Sequence, residues 1–558
     1  MKSRIIDYCV GGIALLAFLL LLVEPTPLGQ VYAVYLGYAN LTVLLIFAAD
    51  ALFRFAFSAD KLKHLRRQWF DAIVFVAFVQ YVPGVQRTEL FVILRQLVVV
   101  VVLVSRVRKT RKLFALLSTR PAQMLAASFL LAIGIGAVLL MLPMATVGPE
   151  TTSLTDAVFT ATSAVCVTGL IVQDTATYFT PFGQLVILAL IQAGGLGIMT
   201  FSVSLALLFR RQMDVRQRVA MQDILDQESL ASVRHLALFI LLMTLVLEGI
   251  GWLALFLAWL GHAGSPLQAA YHALFHSVSA FCNAGFSTFS DSLAGFQSDL
   301  TTNLIVCVLI ILGGAGFLVI RDLVEPFKYR KDLRIKRLRI QTKIVLSTSL
   351  LLIVLGGTFI YLLEARASLA GASTPERILI SLFQSVTTRT AGFNTCSIAS
   401  LSSAVLFLMI VLMFIGASPG STGGGVKTTT VAVLFAAVWG QFRQRQRAEL
   451  YRRSIPTDVI IKALSVLCLS LVVVVGFAVL LLYIEDKPFM AVLFETVSAF
   501  GTVGLSTGIT PDLSTGGKIV VTVLMFIGRL GPLTVAYAFS RKRTPPKYEF
   551  ADERVMIG

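Results

Sequence analysis

The stretch Phe275–Phe286, FHSVSAFCNAGF, occurs in recognisable form four times along the chain. The other copies are FTATSAVCVTGL from Phe159 to Leu170, FQSVTTRTAGF from Phe383 to Phe393, and FETVSAFGTVGL from Phe494 to Leu505. Each is a short amphipathic run ending in a glycine and an apolar residue, and the glycines Gly169, Gly285, Gly392 and Gly504 recur at near-even intervals. Such a long, regular period marks one supersecondary unit used repeatedly. Apolar runs long enough to cross a bilayer flank each copy. The expected fold is therefore an all-α polytopic membrane protein, with four helix, pore-loop, helix repeats in pseudo-fourfold symmetry around one pore.

Backbone shape explains the glycines. Carbonyl oxygens that replace the water around a dehydrated cation must turn the same way, which pushes residues to positive φ, where glycine is unstrained. The helical run before each glycine also points its partly negative C-terminal end at the cavity, which favours a cation there. Helix capping alone would explain neither the spacing nor the F-x-x-x-S-A run shared by three copies. The carbonyls expected to hold the ion belong to Val167, Thr168 and Gly169; Asn283, Ala284 and Gly285; Thr390, Ala391 and Gly392; and Thr502, Val503 and Gly504.

Composition excludes an ordinary soluble or disordered chain, since hydrophobic residues make up 57% and charged residues 14%. The net charge of +17 raises the question of nucleic acid. The distribution of the basic residues answers against it. Most of the 47 Lys and Arg fall in segments on one side of the expected spans, leaving Arg95, Arg389, Lys427 and Arg529 at membrane depth. That asymmetry puts the basic loops and both termini in the cytoplasm and opens the pore loops outward, in a cytoplasmic (inner) membrane. The six cysteines are scattered and have neither a disulfide pattern nor metal-ligand spacing.

The chain divides into an N-terminal four-helix block (1–120), four pore units (121–232, 233–340, 341–455 and 456–545) and a short cytoplasmic tail (546–558). Spans are expected at Tyr8–Val23, Val31–Phe55, Trp69–Val82 and Glu89–Val104, the first a retained helix because no clear small-residue cleavage site follows it. This block resembles the sensor-type module of voltage-gated channels in AADALFR, WFDAIV and the Arg-bearing fourth helix, with Asp50, Asp71 and Arg95 able to pair. A sensor needs arginine at every third position, since one charge contributes only about 2.3 kcal/mol per 100 mV. Arg95 is followed by an uninterrupted apolar run to Arg106, so a structural or assembly role is favoured. The connector Arg210–His235 and the basic run Lys328–Arg339 read as cytoplasmic, with lipid headgroups or a partner as secondary roles.

The third unit departs from the others twice. Arg389 stands three before Gly392, where the other copies have Cys166, Cys282 and Gly501; it is expected to bond carbonyls or Glu495 behind the filter. Its inner helix is broken at Gly416–Gly425 by Pro419 and five glycines. GSTGGGVKTT resembles a phosphate-binding loop, but Val426 separates the last glycine from Lys427 and the flanks are membrane helices, so nucleotide hydrolysis is not expected. Irregular backbone at membrane depth fits a segment lining a cavity or buried in protein. Arg529, mid-helix in the fourth unit, marks a pathway or a partner.

The four loops, together with GASPGSTGGGVKTTT at Gly416–Thr430, resemble the membrane subunit of the Trk/Ktr/HKT superfamily of potassium transporters over about residues 120–545. The resemblance implies a non-enzymatic potassium conduit, with a glycine in all four loops going with potassium over sodium. It implies a mobile gating loop (416–430) containing Gly416, Ser418, Pro419, Gly420, Gly423, Gly424, Gly425 and Lys427, with Arg529 as a positive barrier beside it. It also implies a homodimer in membrane lipid that docks a cytosolic nucleotide-binding regulatory subunit, with no organic cofactor. A sodium-coupled or sodium-permeable transporter, or a non-conducting structural or receptor protein, are the alternatives.

Overall fold

The computed structural model describes residues 121–148, 151–197, 230–261, 264–328, 338–445 and 447–539, with six positions between Tyr38 and Ala49. The expected N-terminal spans with Asp50, Asp71 and Arg95, most of the two basic connectors, and the tail from residue 540 lie outside the described residues.

Among the described residues the chain is helical apart from a two-stranded hairpin, β1 (Glu449–Leu450) with β2 (Arg453–Ser454). Helices α1 (Pro121–Leu140), α2 (Leu154–Val165) and α3 (Pro181–Gly195) come first. Then follow α4 (Leu230–Trp259), α5 (Pro266–Cys282), α6 (Leu300–Ala315) and α7 (Phe317–Lys328). A third run holds α8 (Ile340–Glu364), α9 (Thr374–Thr387), α10 (Ser403–Phe414) and α11 (Thr428–Phe442). The last holds α12 (Thr457–Ile484), α13 (Phe489–Gly501), α14 (Thr515–Leu530) and α15 (Pro532–Phe539).

Two kinds of helix divide the space. His235–Trp259, Ile340–Glu364 and Thr457–Ile484 are long and apolar enough to cross a membrane, yet most of their surface is not covered by protein. Leu253, Leu355 and Val475 are exposed on them, a pattern that needs lipid rather than water as the solvent. The short helices α2, α5, α9 and α13 are the reverse. Their leading phenylalanines Phe159, Phe275, Phe383 and Phe494 are at most 1% exposed, so these four helices form the interior of the molecule.

Helix starts are fixed by side chains that satisfy the first free amides. Thr180 accepts from Gly183 N, Ser402 from Val405 N and Ser514 from Gly517 N, while Asp299 accepts from the amides of Thr301 and Thr302. Three of these starts are tied to the ends of the preceding long helices. Glu364 accepts from Ser402 N at 2.7 Å and Glu485 from Ser514 N at 2.9 Å; Trp259 Nε1 donates to Thr302 Oγ1 at 3.0 Å. Each buried polar group thus ties the start of a returning helix to the end of the long helix before it.

The expectation of a broken inner helix in the third run alone is corrected. The pair α6 and α7 bends by 100° at Gly316, and α14 gives way to α15 at Gly531. Both glycines sit at positive φ, 94° and 82°, which no α-helix includes. The third interruption is the longest, with the irregular segment Ile415–Lys427 between α10 and α11.

Candidate ion pathway

Each short interior helix runs directly into one of the four predicted carbonyl segments. In all four, the first residue and the glycine adopt positive φ: Val167 57° and Gly169 91°, Asn283 59° and Gly285 69°, Thr390 76° and Gly392 83°, Thr502 51° and Gly504 92°. Glycine tolerates this freely, but β-branched Val167, Thr390 and Thr502 do not. Three strained side chains at equivalent places mark backbone shape imposed by the surroundings, as happens where a ligand is bound.

The four segments meet one another in chain order. A β-carbon at Gly169 would collide with the Ala284 carbonyl oxygen; one at Gly285 would stand 2.8 Å from the Ala391 oxygen; one at Gly392, 2.5 Å from the Val503 oxygen; one at Gly504 would collide with the Thr168 oxygen. The fourth segment therefore closes on the first. On one side of this ring lies a cavity of about 400 Å³ lined by all four glycines, with Asp174, Asp291, Asn394 and Thr507 also in its wall.

The hydroxyl of the shared F-x-x-x-S run holds each segment, a role that the sequence signalled only as a repeat. Ser163 Oγ accepts from Gly169 N at 3.0 Å and Ser498 Oγ from Gly504 N at 3.2 Å. In the other two segments the hydroxyl donates, Ser279 to the Phe286 carbonyl at 2.8 Å and Thr387 to the Phe393 carbonyl at 2.6 Å. Behind the segments, glycines of the inner helices abut the last carbonyls of the short helices. A β-carbon on Gly194, Gly313 or Gly528 would overlap Val165, Phe281 or Phe500 oxygen respectively. In the third run the matching Gly416 abuts Gly424 of its own irregular segment instead.

That segment lies against the ring from the side opposite the cavity. Gly424 N donates to Thr502 Oγ1 at 3.0 Å, and a β-carbon on Gly423 would collide with Thr390 Oγ1. Lys427 folds back over it, donating to the Gly423 and Gly424 carbonyls at 2.7 and 3.4 Å. Its tip docks on the bend of the second inner helix: Ser418 N donates to Gly314 O (3.1 Å), Thr422 N to Gly313 O (3.3 Å), and Phe317 N to Gly420 O (2.9 Å). Pro419 sits there too, its oxygen beside Gly316, while Gly425 packs on Gly416. Arg529 from α14 donates to the Thr422 carbonyl and, at 2.6 Å, to the Gly194 carbonyl. Elements from the second, third and fourth runs thus touch one short stretch of backbone, and Arg529 links it to the first.

Arg389 and Glu495 are not partners, which corrects one of the two expected arrangements. Arg389 turns outward to α8, where it donates to the Ser349 hydroxyl at 2.9 Å and to the Ser349 carbonyl at 3.5 Å. The fully buried Glu495 instead accepts from the Thr510 hydroxyl beside the fourth segment. The third copy is one residue shorter, and its helix is capped at Thr388, directly before Arg389.

Comparison with known proteins places the chain. The family of cation transport proteins TrkH matches residues 90–549. The chain is 40% identical over 440 residues to the Ktr system potassium uptake protein B of Bacillus subtilis, covering 78% of this chain and 97% of that one. It is 36% identical over 446 residues to the potassium/sodium uptake protein NtpJ of Enterococcus hirae, again 78% and 97%. Its fold matches the crystal structure of the potassium transporter TrkH from Vibrio parahaemolyticus with a TM-score of 0.62 and 20% identity, over 89% of this chain and 97% of that one. The chain is a membrane protein of the TrkH family of cation transport proteins, which are ion transporters rather than enzymes.

Proposed function

We propose that this chain carries potassium into the cell, as the ion-conducting subunit of a Trk/Ktr-type system in the cytoplasmic membrane. The observation that carries this reading is the closed ring of four glycines, each against the next segment's carbonyl, at the foot of one cavity. Carbonyls fixed in that ring replace the hydration shell of a dehydrated cation. In this reading the four helix, loop, helix units are pseudo-symmetric repeats around one pore, with bounds at 121–232, 233–340, 341–455 and 456–545. The cavity beside the glycines is the outer mouth, where Asp174 and Asp291 attract cations.

The irregular segment Gly416–Lys427 is the gate. Its contacts with Thr390, Thr502 and Arg529 support that role, because they put backbone and a guanidinium charge in the ion's path behind the ring. The subunit forms a homodimer and takes its opening signal from a cytosolic nucleotide-binding partner; that relatives are named as one protein of a Ktr system supports a second component. A relative named for potassium and sodium uptake keeps sodium as a second transported or coupled ion.

Replacing Gly169 by Ser tests the filter, since its side chain has no room beside the Ala284 oxygen and its φ of 91° opposes any β-carbon. In a potassium-uptake-deficient bacterial strain, the parent supports growth on low potassium and the variant admits sodium. Unchanged potassium-to-sodium discrimination in a membrane-inserted variant would remove Gly169 from the filter.

A further inference from the structure

Glu248 lies buried within the apolar span α4, 5% exposed, and has no ion pair among the described residues. A carboxyl at this depth is costly and is kept where it has work to do. Its oxygens face two groups from different elements. Gln192 Nε2 of α3 donates to Oε2 at 3.1 Å, and the Cys282 thiol at the end of α5 lies 3.7 Å from Oε1. The same thiol is 3.8 Å from Gln192 Oε1, so the three side chains form a closed triangle. Cys282 directly precedes Asn283, the first residue of the second carbonyl segment.

The third run contains a natural control. Ser277 Oγ donates to the Glu248 carbonyl at 2.7 Å, and the matching Ser385 Oγ donates to the Ile353 carbonyl at 2.8 Å. Gly251 packs on Ser277 as Gly356 packs on Ser385. Glu248 and Ile353 therefore occupy the same slot, and an isoleucine fills it without a polar partner. Packing of a long helix on a short one does not call for a carboxyl there.

We infer that Glu248, acting with Gln192 through Cys282, is a positioning residue for the second carbonyl segment and sets how well the ring discriminates potassium from smaller cations. The carboxyl does not touch the ion. It fixes the thiol from one side while Gly195 of α3 closes on the sulfur from the other, so Asn283 and the carbonyls after it keep their turn. The inference rests on the filter reading above.

The test compares sodium and potassium flux through purified full-length protein in lipid vesicles. Glu248→Gln keeps both hydrogen-bonding heads and retains the parent's discrimination. Glu248→Ile, the residue of the matching slot, and Cys282→Ala each raise relative sodium flux by roughly tenfold, the effect of losing one buried hydrogen-bond partner. The double variant Glu248→Ile with Cys282→Ala adds nothing further, because both act on one linkage. Parental discrimination in a folded Glu248→Ile or Cys282→Ala protein overturns the inference, as does full additivity of the two. Gly169→Ser separates the readings: if it alone alters discrimination, the filter stands and Glu248 is structural.

Discussion

Lys518, in the first turn of α14, sits 2.7 Å from Asp156, in the first turn of α2, although 362 positions separate them. Both side chains are largely buried, at 15% and 13% exposed, so this is a shielded pair rather than a surface one. It joins the last helical run to the first where the ring of carbonyl segments also closes, Gly504 against Thr168. Asp156 is suited to the site in its own right, since a carboxylate in the first turn of a helix meets the positive end of the dipole.

Lys518→Met should therefore destabilise the protein by about 3 kcal/mol, because it leaves a shielded carboxylate without its cation. Adding Asp156→Asn should recover much of that loss. Thermal unfolding in detergent reads both, and equal stability of Lys518→Met and parent would mean that water already satisfies the carboxylate.

Glycine-to-alanine changes should sort by space. At Gly476 of α12 nothing lies within 4 Å of where a β-carbon would stand, so Gly476→Ala should be neutral or gain up to about 1 kcal/mol from helix propensity. Gly528→Ala must push α14 off the Phe500 carbonyl and with it the fourth segment. Uptake lost in Gly528→Ala but kept in Gly476→Ala is the expected result; equal uptake in both would show that α14 yields at no functional cost.

The helical membrane fold and the family were legible because the repeat, the apolar runs and the turn residues all spoke for the same architecture. The bend at Gly316 was not legible, since a glycine's φ depends on what it faces, and Gly316 faces Pro419 from another helical run. The strain at Val167, Thr390 and Thr502 was invisible for the same reason. Sequence offered Glu495 to Arg389 because opposite charges attract, but the neutral Ser349 of α8 is what packing brings to the guanidinium. Gln192 and Glu248 carried no motif at all, and only packing brings them to Cys282.

The hydroxyls behind the ring should not be equivalent. Ser163→Ala and Ser498→Ala each leave a buried glycine amide without an acceptor, a loss of about 1–3 kcal/mol at the backbone that forms the ring. Ser279→Ala and Thr387→Val remove only donors to carbonyls that hold a second lone pair for other partners. Competition of sodium with rubidium uptake should worsen more in the first pair than in the second. The reverse order would mean that the carbonyls of Phe286 and Phe393, not the glycine amides, govern the ring.

The gate prediction turns on where the irregular segment is held. Its tip is bound chiefly to the second inner helix, through Gly313, Gly314 and the Phe317 amide, and Arg529 adds a link to the first through Gly194. Arg529→Ala, or deletion of Ser418–Gly424, should raise ion flux and weaken dependence on any regulatory subunit. Phe317→Pro is a finer probe. Proline is accepted at the first position of a helix, so it removes the amide that donates to Gly420 while sparing the turn of α7. Phe317→Ala serves as its control, because it removes the same ring from the core and keeps the amide. Flux should rise further in Phe317→Pro than in Phe317→Ala. If deletion, Arg529→Ala and Phe317→Pro all reach the membrane and conduct no faster than the parent, the segment is a packing device and conduction is controlled elsewhere.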